Sequence, residues 1–136
     1  MAILDKTRVL LVEDEEYVID MYRQVLEKNG ATVTVAENGQ KGIAALNKDT
    51  FDIVILDRIL NDDMNGIDVL KHMREQEETK NTPVLILTNL DLAPEEEDMV
   101  KSLRISGYYL KAEVSLDALS TILLEATNTK ETGVEN

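Results

Sequence analysis

Asp52-Ile53-Val54-Ile55-Leu56-Asp57, the stretch DIVILD at residues 52–57, decides the fold. Its middle four residues are apolar without interruption, which is the pattern of a strand covered by helices on both faces and therefore central in its sheet. The run stops abruptly at a carboxylate, Asp57. Three other apolar runs stop in the same manner: Val9 to Val12 at Glu13-Asp14, Val84 to Leu87 at Thr88, and Tyr108 to Leu110 at Lys111. If all four are parallel strands of one sheet, their carboxyl ends lie along a single edge, where open α/β sheets bind ligands. Three acids, a hydroxyl and an ammonium then meet in one crevice.

Between the runs lie segments of helical period, and the alternation repeats five times along the chain, the signature of βαβ units and a parallel sheet. The first helix carries a stripe of Val18, Met21, Tyr22, Val25 and Leu26 and ends at Gly30 as a left-handed cap. Thr32 to Val35 alternates polar and apolar residues as a half-exposed edge strand does, and Asn38-Gly39 opens a helix with Ile43 and Leu46 inward. Phe51 leads into the central strand. A third helix from Gly66 turns Ile67, Leu70 and Met73 inward, Pro83 marks entry to the fourth strand, and Pro94 takes a first helical position. The acidic run Glu95 to Asp98 reads as the solvated start of that fourth helix. Ser115 caps a last helix with Leu116, Leu119, Ile122, Leu123 and Ala126 on one side. Right-handed crossovers then give an α/β fold: a doubly wound, five-stranded parallel sheet of order 2-1-3-4-5, flavodoxin-like, with helices on both faces. Residues 1–7 form an N-terminal segment, 8–129 the domain, and 130–136 a polar C-terminal tail.

Composition sets the partners. The 136 residues suffice for one core, and the absence of cysteine excludes thiol chemistry. A net charge of −13 repels polyanions, so no direct nucleic-acid binding and no membrane contact are expected, and a cation is the natural small ligand. No signal peptide or spanning run is visible, which points to a cytoplasmic protein.

In the expected strand order Glu13, Asp14 and Asp57 fall within a few ångströms of one another. Like charges that close need a cation among them, and an all-oxygen cluster favours Mg²⁺. Two carboxylates then hold metal while Asp57, from the central strand, acts as nucleophile on phosphorus. Lys111 neutralises the transferring group and Thr88 donates to a phosphoryl oxygen. Taken singly, Asp14 is a helix cap, Thr88 a turn residue, Lys111 a surface charge and Asp57 a loop start. Their coincidence at one sheet edge favours the chemistry.

LLVEDEE (10–16), AENG (36–39), DIVILD (52–57), NGIDVL (65–70), TPVLILT (82–88) and GYYLK (107–111) together resemble the receiver domain of two-component response regulators, over roughly residues 8–127. The resemblance implies a single-domain, chemotaxis-receiver-like switch in which Asp57 is phosphorylated from a sensor histidine kinase or histidine phosphotransfer protein. It implies Mg²⁺ bound directly by Asp14 and by Glu13 largely through water, with Asp57 and the backbone carbonyl of Ile59 also in the metal set. Thr88 matches the switch hydroxyl, Lys111 the phosphate-binding lysine and Tyr108 the aromatic that turns inward on phosphorylation. The implied output surface is the fourth helix, fifth strand and fifth helix, contacted by a downstream protein. The implied activity is a self-phosphorylating and self-dephosphorylating switch in a phosphorelay and not a turnover enzyme, with no room for an output domain.

Three departures from the family stand out: Ala112 where proline usually follows the lysine, a loop from Asp57 to Gly66 one residue longer than usual with Asn61 where proline is common, and Asn89 after Thr88. The first removes the proline that favours a cis peptide, a form that otherwise costs about 2.5 to 4 kcal/mol. Two other readings use the same residues: a receiver-like binding module independent of phosphorylation, and an aspartyl-phosphate phosphohydrolase of haloacid dehalogenase type. The latter class carries its nucleophile on the first strand. His72, the one histidine, reads as a surface residue.

Overall fold

The computed structural model describes residues 2–61 and 63–132, with side chains through residue 128. Five strands, β1 (Arg8–Val12), β2 (Thr32–Ala36), β3 (Ile53–Leu56), β4 (Val84–Thr88) and β5 (Gly107–Leu110), form one sheet in the order β2-β1-β3-β4-β5. Every pairing is parallel, with Val12 beside Leu56 and Leu56 beside Ile86. The helices are α1 (Glu16–Lys28), α2 (Gly39–Lys48), α3 (Gly66–Glu75), α4 (Glu97–Ser102) and α5 (Leu116–Thr132). This is the doubly wound order expected from the alternation of runs.

Strand periodicity divides the core into two layers. Val9, Leu11, Ile53, Ile55, Leu85 and Leu87 face α1 and α5, packing with Val18, Ile19, Leu26, Leu119 and Leu123. Their neighbours Leu10, Val12, Val54, Leu56, Val84 and Ile86 face α2, α3 and α4, packing with Leu46, Leu70, Met73 and Val100. Because β1, β3 and β4 are apolar at nearly every position, both faces find a partner layer, and the strands cannot slip by one residue without exchanging layers.

Local signals end the elements where they stand in the sequence. Gly30 has φ +100°, a conformation that side chains rarely adopt. The Asn38 side chain accepts from the Lys41 amide at the start of α2, and Asn65 with Asp68 forms a reciprocal cap at the start of α3. The Ser115 hydroxyl accepts from the Ala118 amide at the start of α5.

Several side chains depart from the expected pattern. Ile19, not Met21, completes the buried stripe of α1, since Val18, Ile19, Tyr22 and Leu26 subtend one arc and Met21 lies beyond its edge, 38 % exposed. Leu116, at the start of α5, is likewise exposed. His72 is half-buried, not a surface residue: its Nε2 is enclosed beside a cleft of about 270 Å³ lined by Leu46, Asn47, Gln76 and Thr79. Residues 2–7 pack as part of the domain. Leu4 is fully buried, its amide donates to the Asn29 carbonyl at 2.8 Å, and the Lys6 amide donates to Gly30. At the other end α5 takes in the first three residues of the expected tail, and residues 133–136 lie outside the described residues, as does Asp62 in the β3–α3 loop.

Candidate phosphoryl-transfer site

Parallel pairing fixes the site before any side chain is considered. Val12 and Leu56 are partners, so the residues that follow them, Glu13 and Asp57, leave the sheet side by side. The Glu13 amide still bonds to the Ala36 carbonyl and the Asp57 amide to the Val12 carbonyl, which holds both backbones in strand geometry to the last residue. Both side chains are buried. Oxygens of Glu13, Asp14 and Asp57 lie within 4.8 Å of one another.

Lys111 reaches this cluster from the end of β5. Its Nζ lies 2.8 Å from Asp57 Oδ2, 2.8 Å from Glu13 Oε1 and 3.3 Å from Glu15 Oε1. Burial by itself pulls the ammonium pKa down, but the hydrogen bonds to Asp57 and Glu13 and their charges prevail, and it ends above the ordinary lysine value. Burial pushes the Glu13 carboxyl up, against the opposing pull of Lys111 and of the Glu15 amide. Lys111 is therefore a fixed cation among carboxylates.

The oxygen inventory of the cluster divides the acids. Glu13 Oε2 accepts from the amides of Asp14 and Glu15 while Oε1 faces Lys111, so both of its oxygens are engaged. Asp57 presents Oδ2 to Lys111 and Oδ1 to the Ile59 amide at 3.2 Å. Asp14 is only half-buried. A donor set made wholly of carboxylate and carbonyl oxygens, partly open to water, fits a hard divalent cation such as Mg²⁺, which retains several waters.

Ile59 contributes its backbone here, and its side chain is 56 % exposed at the mouth of the site. The Lys111–Ala112 bond is trans, as are all those described, and Lys111 opens a 3₁₀ turn through Glu113. The missing proline does not turn the lysine away, because three carboxylates hold it. Thr88 ends β4, fully buried, with its Oγ1 accepting from the Leu90 amide at a long 3.4 Å. Tyr108 does not meet it. The tyrosine hydroxyl donates to the Leu90 carbonyl at 2.6 Å and accepts from Arg58 Nη1 at 3.1 Å.

Four residues at the site escape sequence reasoning. Glu15 carries no role in the sequence reading, yet it shares Lys111. Gly66 sits so close to the Asp57 carbonyl that a Cβ would collide with it, and its amide donates to the Arg58 carbonyl at 3.0 Å. Arg58 and Glu96 form a forked ion pair of 2.7 and 3.1 Å across the loop. Glu96 is thus not simply part of a solvated helix start, and the remaining acids of that run, Glu95, Glu97 and Asp98, keep that role. The Asn-Gly step at 65–66 was the one available signal for Gly66; nothing local marked the pair 38 residues apart.

Comparison with known proteins identifies the family and the fold. The profile described as "Response regulator receiver domain" matches residues 9–123. Among curated proteins, the probable transcriptional regulatory protein TcrX of Mycobacterium tuberculosis is 37 % identical over 99 residues, 73 % of this chain and 40 % of that protein. The phosphate regulon transcriptional regulatory protein PhoB of Escherichia coli is 36 % identical over 96 residues, 71 % of this chain and 40 % of its own length. The matched part of the chain thus spans about 40 % of these relatives. Among solved structures, chemotaxis protein CheY4 of Vibrio cholerae superposes with a TM-score of 0.80 at 28 % identity, covering 89 % of this chain and 98 % of that one. A nucleophile candidate on β3, not β1, also separates the chain from the haloacid dehalogenase pattern.

Proposed function

The chain belongs to the response regulator receiver domain family, and on that premise we propose that Asp57 accepts a phosphoryl group from a phosphohistidine donor and passes the signal by protein contact. The observation that carries this reading is the pairing of Asp57 Oδ2 with Lys111 Nζ at 2.8 Å inside a cluster of three carboxylates. In the forward step an Asp57 oxygen attacks phosphorus, a P–O bond forms, the P–N bond to the donor imidazole breaks, and its electron pair stays on that nitrogen. In a separate dephosphorylation step water attacks phosphorus, the P–O bond to Asp57 breaks with its electron pair left on the carboxylate, and inorganic phosphate departs carrying the oxygen and a proton of the water while the other proton goes to solvent. Neither step needs an oxidant or further reactant.

Lys111 shifts from sharing Asp57 to sharing a phosphoryl oxygen, a move of one hydrogen bond with no change of protonation. Asp14 and Asp57 would hold Mg²⁺, with Glu13 acting through water because its oxygens are already engaged, and Ile59 offering its carbonyl. Bound there, the ion neutralises charge on the phosphoryl oxygens. Thr88 donates its hydroxyl to one of them, giving up the long contact to Leu90. The output partner docks on α4, β5 and α5. No described helix is long and apolar enough to cross a membrane, and we place the switch in the cytoplasm, facing a sensor kinase or a phosphotransfer protein.

Incubation with Mg²⁺ and acetyl phosphate, followed by intact mass, tests the reading. Wild type should gain one acid-stable, base-labile phosphoryl group and Asp57→Asn none. Labelling of both proteins, or of neither, would overturn it, the second outcome favouring a phosphorylation-independent binding module.

A further inference from the structure

Lys111 is fixed by its partners more than by its backbone. It follows β5, whose four residues are all only half-buried, and the turn it opens is closed by a long contact, the Val114 amide donating to the Lys111 carbonyl at 3.4 Å. No proline stiffens the next position, which is Ala112. The ammonium is better held. Its three donors meet three carboxylates, Asp57 and Glu13 at 2.8 Å and Glu15 at 3.3 Å. A compact charge on a flexible four-carbon stem takes the place that such partners give it.

Phosphoryl transfer asks something different of each carboxylate. Asp57 would become the acyl phosphate and lose its carboxylate charge. Glu13 would also orient water on the metal, with the side chain whose Oε2 already holds the Asp14 and Glu15 amides. Glu15 stands outside both tasks. It is the residue before α1, and its side chain makes no capping bond to the first turn of that helix. Its backbone is nevertheless anchored, the amide on Glu13 Oε2 at 3.1 Å and the carbonyl accepting from the Ile19 amide at 3.0 Å. The side chain, 48 % exposed, reaches instead to a lysine 96 residues away and ties the start of α1 to the turn between β5 and α5.

We propose that Glu15 is a positioning residue for phosphoryl transfer: the partner that Lys111 keeps while its contact with Asp57 passes to a phosphoryl oxygen. The role rests on the reading of Asp57 as phospho-acceptor, and in it Glu15 touches neither phosphorus nor metal. An exposed ion pair contributes little to global stability, but displacing a charged donor from the reacting oxygens is felt in the rate. The signature is therefore a lower maximal rate in a protein of unchanged stability. A rival effect has the opposite sign. Glu15 is also a negative charge beside the path of an anionic donor, and if repulsion governed, removing it would speed the reaction. Its pairing with the ammonium at 3.3 Å offsets that repulsion and leaves the clamp as the larger effect.

The test compares the full chain as wild type, Glu15→Gln, Glu15→Asp and Glu16→Gln. Glu15→Gln removes the charge, Glu15→Asp keeps it but shortens the reach, and Glu16→Gln removes the same charge one residue further on. With Mg²⁺ and acetyl phosphate, both Glu15 variants should lower the maximal rate of Asp57 labelling by about threefold, the size expected of an exposed pair. The acetyl phosphate concentration for half-maximal rate should not rise, and Glu16→Gln should match wild type. With Mg²⁺ and beryllofluoride as a stable stand-in for the phosphoryl group, the Lys111 ammonium signal in nuclear magnetic resonance should exchange with water about threefold faster in both Glu15 variants. Mg²⁺ affinity and the urea midpoint should stay at their wild-type values. Faster labelling in Glu15→Gln, a wild-type rate in Glu15→Asp, an equal loss in Glu16→Gln or a fall in Mg²⁺ affinity each overturns the clamp while leaving Asp57 as acceptor. A wild type that takes no phosphoryl group overturns the reading of Asp57 and the role of Glu15 with it.

Discussion

Strands β1, β3 and β5 lie in one sheet, yet β1 and β3 are built to a different standard from β5 and from α4, the helix that precedes it. Ile53 to Leu56 are all buried, as are Val9 to Val12, and each strand has a hydrogen-bonded neighbour on both sides. Gly107 to Leu110 are all only half-buried, β5 is an edge strand, and α4 contributes one buried side chain. The acids and the proposed nucleophile stand on the first pair, the proposed output surface on the second. Phosphoryl transfer needs atoms held in fixed relation, whereas a readout needs a segment whose two arrangements differ little in free energy. The two requirements are met by burial in one place and by a few polar contacts in the other.

The largest expected effect follows from removing bulk on each side. Ile55→Ala should cost about 2 to 5 kcal/mol in urea unfolding, as large-to-small changes in packed cores do. Leu103→Ala, just past α4, should cost about 1 kcal/mol, near the middle of the range for single substitutions. Equal costs would erase the contrast. Next comes the metal. At a hundred times its dissociation constant Mg²⁺ should add about 2.7 kcal/mol to stability, and Asp14→Asn should lose most of that gain while its stability without metal changes little. Gly66→Ala presses a methyl group onto the Asp57 carbonyl and should cost about 1 to 3 kcal/mol, together with slower acceptance of phosphate from acetyl phosphate. A normal phosphorylation rate in that variant would show that the loop yields without moving Asp57.

The smallest effect is in pH. The Arg58 hydrogen bond, and then the Ala93 amide, hold the Glu96 carboxyl below its ordinary value. A depressed carboxylate contributes fully above its unfolded pKa of about 4.3, and that contribution is lost as pH falls through the lowered folded value. Protection factors of amides in α4 should therefore be constant from neutral pH down to that region and fall below it, earlier than those of β3. Loss of protection near pH 6 would point to another group.

The sequence was most legible where strand periodicity and chain termination coincide. Asp57, Glu13 and Lys111 each end an apolar run, so parallel order alone predicts their meeting. Thr88 was placed at its strand end by the same logic, although its present hydrogen-bond partner is Leu90 and not the acidic cluster. Arg58 was invisible because its role depends on Glu96, and no local period relates a loop after β3 to the start of α4. Tyr108 was named for its position, but its grip on the Leu90 carbonyl is a contact between β5 and a loop that only the assembled sheet defines. Ile19 and Met21 were exchanged because a stripe written at spacings of three and four leaves its edge ambiguous by one residue. Leu4 was set outside the domain because an isolated apolar residue in a polar segment carries no periodic signal.

That leucine has a practical bearing on how this unit can be cut and joined. A graft beginning at Arg8, where the first strand starts, would leave an unfilled hollow the size of a leucine side chain in the layer that contains Leu26, and would strip the Asn29 carbonyl of its donor. The transplantable module begins ahead of its sheet, and a fusion partner attached through the first few residues has to leave that anchor seated.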